Sequence, residues 1–440
     1  MDDYSPSDGS YVFGTRTRFV LMVIVLFSLT AVWSNIIAFN FALICIDHSN
    51  ATESIAFSKS EESWFTSSVA LAAVAANIPV TVLVHRVGIR MLFSSLGLLS
   101  SLATLLMPTA IRSGFGYVVA ARALQGLAFA GNFPVIGGFC SRWTYFKQTG
   151  LFVSFLVSYV QLAPALTMPI SGMLCATFSW SSVFYAHGAA TLCVFALYGG
   201  FYRNSPHKHP LVGPVETEKI MKGKSMSTHK TTSLPLRAIL STPAVWGTWF
   251  AAVGNFFVVN LTFLFSPVYL SAVLGMSMRT TGITSALPPL AQFATKILFG
   301  MLSDRLKSVR EVTKFRVFNS LSFCGCALSF TILAFMDDSH KTVNLLLLGL
   351  ATGMLGAATG GFYKAAPFLS KQYSHFVTGN FSLVLTATMF TVPFVVNSLT
   401  PNNAIDEWRT VFLATAAIQV ISNVVFCIFI QGEPCEWTNE

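Results

Sequence analysis

Apolar residues come in runs of about 20, the length that carries an α-helix across the ~30 Å hydrocarbon core of a bilayer, and short polar stretches separate them. Twelve such runs are centred near residues 32, 74, 101, 128, 161, 192, 258, 292, 327, 353, 387 and 420. Each predicts a membrane span, because a chain in hydrocarbon must satisfy its own backbone hydrogen bonds and a helix does so locally. Between the sixth and seventh runs lies a polar stretch, Arg203 to Arg237, with seven Lys/Arg against Glu216 and Glu218. It splits the chain six plus six. The predicted segments are a cytosolic tail (1–17), a first six-helix bundle (18–202), a cytosolic linker (203–240), a second six-helix bundle (241–430) and a cytosolic tail (431–440). The expected fold class is all-α membrane, with twelve transmembrane helices in two pseudo-symmetric bundles.

Composition sharpens this picture. Apolar residues make up 53% of the 440 and charged ones only 10%, where soluble domains carry roughly 25% charged residues. The excess of 27 Lys+Arg over 18 Asp+Glu would suit nucleic acid, but the positive charges are spread over short loops, where orientation in the bilayer explains them better. Loops after spans two (Arg86, Arg90), four (Arg142, Lys147), six, eight (Arg305, Lys307, Arg310) and ten (Lys364, Lys371) are basic. Those after spans one (Asp47, Glu53, Glu61, Glu62), nine (Asp337, Asp338) and eleven (Asp406, Glu407) are acidic. This alternation places both termini and the linker in the cytosol. The sequon Asn50-Ala51-Thr52 then faces the lumen or exterior and Asn50 is a glycosylation candidate. The polar N-terminus and the long apolar run Phe19 to Ile46 do not fit a cleavable signal, so the run is expected to stay as span one. The eight cysteines fall mostly inside apolar runs and are read as membrane-buried thiols.

Charges inside the spans carry the functional signal. Only Arg122 and Lys296 qualify, with Lys364 at a boundary, and the span interiors hold no Asp or Glu. An intramembrane arginine is costly and usually faces a bundle interior or a wet cavity; its planar fork suits carboxylate or phosphate. Arg122 is therefore the first candidate for binding an anionic solute, with snorkelling to the headgroups as the competing account. Gln125 and Phe129 follow at i+3 and i+7 and share its face. Phe129 would stack on an apolar or aromatic part of a solute or simply pack in the core. Asn40 and Asn255, polar groups in spans one and seven, would bond either solute or a neighbouring helix. Lys296 lies eight residues before Asp304, about 12 Å up span eight, and is expected to snorkel to the cytosol. His187 in span six is the nearest titrating substitute for a missing carboxylate. Gly353, Gly356, Gly360 and Gly361 in span ten predict close helix packing, and Pro288-Pro289 predicts a kink in span eight.

Gly300-x-x-x-Asp304-Arg305 after span eight is echoed after span two by Thr81 to Arg90, with His85 where the carboxylate would stand. This repeat resembles the signature loop of the major facilitator superfamily. Asp304, Arg305, Arg86 and Arg90 are accordingly gating candidates, forming a latch that pairs across the two halves. More of the chain, from span one to the tail, resembles solute carrier family 17 of anion transporters. The resemblance rests on Arg122-x-Leu-Gln-Gly-Leu with Phe133-Pro134 and Ser141-Arg142-Trp143, Trp180-Ser-Ser-Val-Phe-Tyr185-x-x-Gly188, Ser205-Pro206-x-x-His209-Pro210, Ser285-Ala-Leu-Pro288-x-Leu290, Glu407-Trp408-x-x-Val411-Phe412 and Gly432-Glu433-x-x-x-Trp437. It implies the major facilitator fold and alternating-access transport of organic anions or phosphate, driven by a proton or sodium gradient or by membrane potential. Several charged positions of the family's pattern are replaced here, by Ala38, Thr66, Phe129, Asn255 and Phe368.

The expected function is secondary-active or potential-driven transport of organic anions, carboxylates first, in the plasma membrane or an endosomal, lysosomal or vesicle membrane. The alternative is a non-transporting membrane sensor or degenerate carrier. Expected partners are a small organic anion, sodium or a proton as coupling ion, and membrane lipid, without nucleic acid. No nucleophile elbow, phosphate loop or metal-spaced cluster occurs in the sequence, so neither an enzyme, a catalytic residue, a cofactor nor a metal is expected.

Overall fold

A computed structural model of the chain describes residues 13–47, 57–145, 148–221, 235–306 and 308–438. Asn50, the glycosylation candidate, lies outside the described residues. All regular structure among the described residues is helical, and every predicted span centre falls inside a helix. Ten helices are long and apolar enough to cross a bilayer, beginning with Thr17–Asp47 and ending with Ile405–Phe429. An eleventh span is a pair, Ile89–Leu105 and Met107–Ser113, bent by 50°; Pro108 in the first turn of the second piece has no N–H to continue the first. The twelfth, Leu287–Arg305, is 19 residues long and less apolar because it carries Gln292, Thr295, Lys296 and Asp304. Pro288 and Pro289 occupy its first turn, where missing N–H groups cost nothing. The pair predicted to kink span eight instead starts it.

Two compact units partition the chain by packing. The first comprises Met1–Ile36, Ala72–Ala163 and Phe184–Thr232; the second comprises Ile37–Leu71, Pro164–Val183 and Ser233–Glu440. The six-plus-six repeat and the packing partition are thus different descriptions of the chain. In the second unit, stretches from both sequence halves bond each other directly. Ser67 Oγ donates to the Phe390 carbonyl at 2.8 Å, Ser63 Oγ to that of Pro393 at 3.3 Å, and Asn397 Nδ2 to Ser63 Oγ at 2.9 Å. These bonds join the start of span two (Lys59–Val87) to span eleven (Ser374–Leu399). The same unit holds a disulfide between Cys45, near the end of span one, and Cys175, near the end of span five. Those two cysteines are therefore not free thiols, which corrects the sequence reading for one pair of the eight. Both sit at ends that the loop charges place on the non-cytosolic side, where disulfides persist.

Two elements depart from plain α-helix. Span ten runs as α-helix over Lys341–Met354, tightens to a 3₁₀ helix over Leu355–Gly360, and resumes as α-helix over Phe362–Ser370. Span seven, Pro243–Val268, ends in a π-helical turn, Tyr269–Val273. Such local rewinding recurs at functional hinges. In the linker, the short helix Pro214–Met221 places Glu216, fully buried, at the start of span one. Its two oxygens accept from the Thr17 and Arg18 backbone N–H groups at 3.2 and 3.1 Å, a carboxylate capping a helix N-terminus.

Candidate functional site

In the first unit, the Phe115–Phe129 helix of span four carries Arg122 and Gln125 on one face, both 0% exposed. Snorkelling to the headgroups is excluded by that burial. The i, i+3 spacing brings the two side chains together: Arg122 Nη1 donates to Gln125 Oε1 at 2.8 Å and to the Ile36 carbonyl at 3.1 Å. Gln125 Nε2 in turn donates to Thr104 Oγ1 at 2.8 Å and to the Asn35 carbonyl at 3.4 Å. Asn35 extends the network: its Nδ2 donates to Ser100 Oγ at 2.9 Å, and its Oδ1 accepts from Thr191 Oγ1 at 3.1 Å. Spans one, three, four and six are thereby tied by one buried polar network. Phe129, 3% exposed, packs at 5.0 Å centroid distance on Trp33, so in this structure its ring serves the core. Sequence reading did not find Asn35, Ser100, Thr104 or Thr191, because small polar residues in apolar runs are ordinary until their partners are known.

In the second unit, Asn40 Oδ1 accepts from Thr66 Oγ1 at 3.1 Å. Both line a cavity of about 60 Å³ together with Asp47, Lys59, Glu62 and Asn397; Lys59 pairs with Glu62 at 2.9 Å. Glu61 and Glu62 lie in the first turn of the span-two helix, so acidic side chains do enter a spanning helix, at its end. Asn255, fully buried in span seven, donates through Nδ2 to the Tyr363 hydroxyl at 3.2 Å. Lys296 Nζ stands 5.6 Å from the centroid of that same ring. Lys296 is thus drawn to Tyr363 in span ten, which corrects the expectation that it simply snorkels toward the cytosol. The signal missed was long-range, since Tyr363 is remote in sequence. His187 is buried, 7% exposed, in span six.

The gating candidates are anchored locally. Asp304 pairs with Lys364 Nζ at 2.7 Å, inside the second unit and within the second sequence half, whereas a latch across the halves was expected; Arg305 is exposed. Arg90 donates through Nε and Nη2 to the Gly199 carbonyl at 2.9 and 2.6 Å, a cation on the carbonyl end of span six. Its backbone N–H donates to Asn204 Oδ1 at 2.9 Å. Gly88, with φ +85°, makes this turn, and a Cβ there would stand 2.5 Å from Asn204 Nδ2. Arg86 is exposed at the end of the span-two helix.

Comparison with known proteins fits this architecture. The family model described as Major Facilitator Superfamily matches residues 19–393. Human sialin is 26% identical over 405 residues, covering 90% of this chain and 80% of sialin. Human vesicular glutamate transporter 2 is 26% identical over 370 residues, covering 82% of this chain and 63% of that protein, somewhat under two thirds of its length. Among solved structures, a bacterial homolog to human lysosomal transporter Spinster, in an inward-facing and occupied conformation, superposes with TM-score 0.71 at 14% identity over 94% of this chain and 97% of that one. A D-xylose-proton symporter gives TM-score 0.70 at 13% identity over 94% and 98%. With a twelve-span helical fold, a repeated signature loop and a family match across most of its length, the chain is a multi-pass membrane transporter and belongs to the Major Facilitator Superfamily.

Proposed function

We propose that this transporter carries organic anions, carboxylates foremost, by alternating access, with Arg122 as the cation that meets the solute. The observation that carries this reading is a permanent positive charge held 0% exposed in span four, with its Nη1 hydrogen bonds directed at two neutral oxygens. A guanidinium out of water is costly, and neutral acceptors compensate it less well than an anion does. A solute carboxylate would give the guanidinium a charged acceptor in place of the Gln125 amide oxygen, and that exchange favours loading. Kinship with proteins named sialin and vesicular glutamate transporter supports the same sign of substrate, and the name of the second supports an intracellular vesicle membrane over the plasma membrane. Gln125 positions the guanidinium, and membrane potential drives a net negative solute, since the span interiors hold no carboxylate to carry a proton.

The reading is tested by radiolabelled uptake into proteoliposomes over a panel of carboxylates and phosphate, with valinomycin-set potentials and imposed pH gradients. Saturable uptake of a carboxylate that follows potential, and is lost in Arg122→Gln at unchanged protein yield, is expected. The complete satisfaction of Gln125 by protein groups favours a second reading, a sensor that no longer transports. Absence of saturable flux for every anion would establish that one instead.

A further inference from the structure

The cytosolic end of the first unit gathers hydrogen-bond donors that nothing answers. Tyr198 and Tyr202, one turn apart at the end of span six, stack with ring centroids 4.9 Å apart and 13° between their planes. Their side chains are 0% exposed, and neither hydroxyl has a hydrogen-bond partner among the described residues. Ser94, on span three, repeats the pattern. Its buried Oγ is unpartnered and faces Gly199, where a Cβ would stand 3.2 Å from it. Arg90 lies one turn before Ser94 on the same helix and reaches the Gly199 carbonyl at 2.9 and 2.6 Å. A buried hydroxyl without an acceptor is costly, and three of them around one helix end call for a common acceptor.

Positive charge is gathered at the same place. Arg90 and Arg142 both act electrostatically on the Tyr198 hydroxyl, and Arg142 acts on that of Tyr202 as well. Arg142, at the end of span four, donates through Nη1 to the Asn204 carbonyl at 3.5 Å, and the Arg90 backbone N–H donates to Asn204 Oδ1 at 2.9 Å. Neither arginine has an ion pair among the described residues; their hydrogen bonds go to backbone carbonyls. The Trp143 indole beside Tyr202 spends its N–H on the Arg203 carbonyl at 3.1 Å. Both guanidiniums are half-buried, so the cluster reaches the surface on the side that the loop charges make cytosolic.

We propose that Arg90, Arg142, Ser94, Tyr198 and Tyr202 form a phosphate site on the cytosolic face of the first unit, for a phosphomonoester carried by a lipid headgroup or by a small soluble molecule. The donor set selects that chemistry. Two members are permanent cations with planar forks, the other three give O–H, and a phosphomonoester brings close to two negative charges and three strong acceptor oxygens. A carboxylate offers fewer oxygens than there are donors here, and chloride a single atom. Occupation would fasten the cytosolic ends of spans three, four and six to one another. The site is separate from Arg122 and does not depend on which solute is carried.

The test uses full-length protein in phosphatidylcholine nanodiscs. One arm titrates inorganic phosphate and glycerol 3-phosphate by thermal shift, against chloride at matched ionic strength. The other raises the mole fraction of phosphatidic acid in the disc, against phosphatidylserine. Saturable stabilisation beyond the control is expected in the soluble arm if the ligand is free and in the lipid arm if it is a headgroup. Tyr198→Phe combined with Tyr202→Phe keeps both cations and removes two donors; it should raise the midpoint for the effective phosphate about tenfold and leave the response to the control unchanged. Without phosphate the same double variant should melt no earlier than wild type, since it deletes hydroxyls that have nothing to bond. Arg142→Gln should abolish the saturable response, and Arg142→Lys, which lacks the fork, should restore it only in part. Should Arg142→Gln fold poorly, the double tyrosine substitution decides alone. A phosphate response that ignores it is general attraction to a basic surface and overturns the proposal, as does a response in neither arm beyond its control.

Discussion

Arg122 and Lys296 show how the same cost is met in two ways. Arg122 is absorbed into a polar network that ties four spans, whereas Lys296 leans on a ring. Glu216 is a third charged residue whose meaning depends on one contact. Both its oxygens serve the backbone N–H groups of Thr17 and Arg18, from inside the core of the first unit. Its side chain therefore fastens the linker helix to the head of span one. Glu216→Ala removes a charged cap and leaves two buried donors unmet, a loss on the order of 1–2 kcal/mol. The purified variant should melt earlier than wild type in fluorescence-detected size exclusion, while Glu218→Ala, on the same helix but unbonded, should not. Equal melting of the two variants would show that the cap contributes nothing.

At the scale of the helix, the apolar runs located ten spanning helices and the bent pair that makes an eleventh, because burying some 20 apolar residues leaves few alternatives to a helix across the bilayer. That Arg122 and Gln125 share a face was equally legible, since i, i+3 residues are neighbours on one helix; their hydrogen bond is what the structure adds. What could not be read were contacts between helices. Lys296 was assigned by its distance to Asp304 along its own helix, and nothing in that distance announces Tyr363 or the prior claim of Lys364. Glu216 looked like one more loop charge for the same reason. The glycines of span ten were read as packing residues, which Gly356 is, yet the same glycines lie in a 3₁₀ turn, Leu355–Gly360, that the apolar pattern does not announce. Gly356→Ala pushes a methyl into Thr295 and the Lys296 backbone. Overpacking of this kind costs about 1–3 kcal/mol. A lowered melting temperature of the purified protein is expected. Gly300→Ala is the control, since its Cβ would meet only Thr359 Oγ1 at 4.0 Å, and it should leave the melting temperature unchanged.

For the whole molecule, the question is which side of the membrane each end faces, and the disulfide turns a charge-counting argument into a chemical one. Cys45 and Cys175 are bonded although 130 residues apart in sequence. A bond of this kind persists in an exterior or vesicular lumen and is reduced in cytosol. The loop-charge rule independently assigns the ends of spans one and five to the non-cytosolic side, so the two arguments must agree or one is wrong. Of eight cysteines in the chain, six are free. Protein extracted from membranes into denaturant with N-ethylmaleimide, without reductant, should therefore take up six adducts in intact-mass measurement, and eight after reduction. The decisive case is Cys45→Ser: it removes a cysteine yet should raise the unreduced count to seven, because Cys175 loses its partner. Eight adducts on unreduced wild-type protein would show that Cys45 and Cys175 do not bond, and would remove the chemical support for placing these ends on the non-cytosolic side, leaving the loop charges alone to assign the orientation.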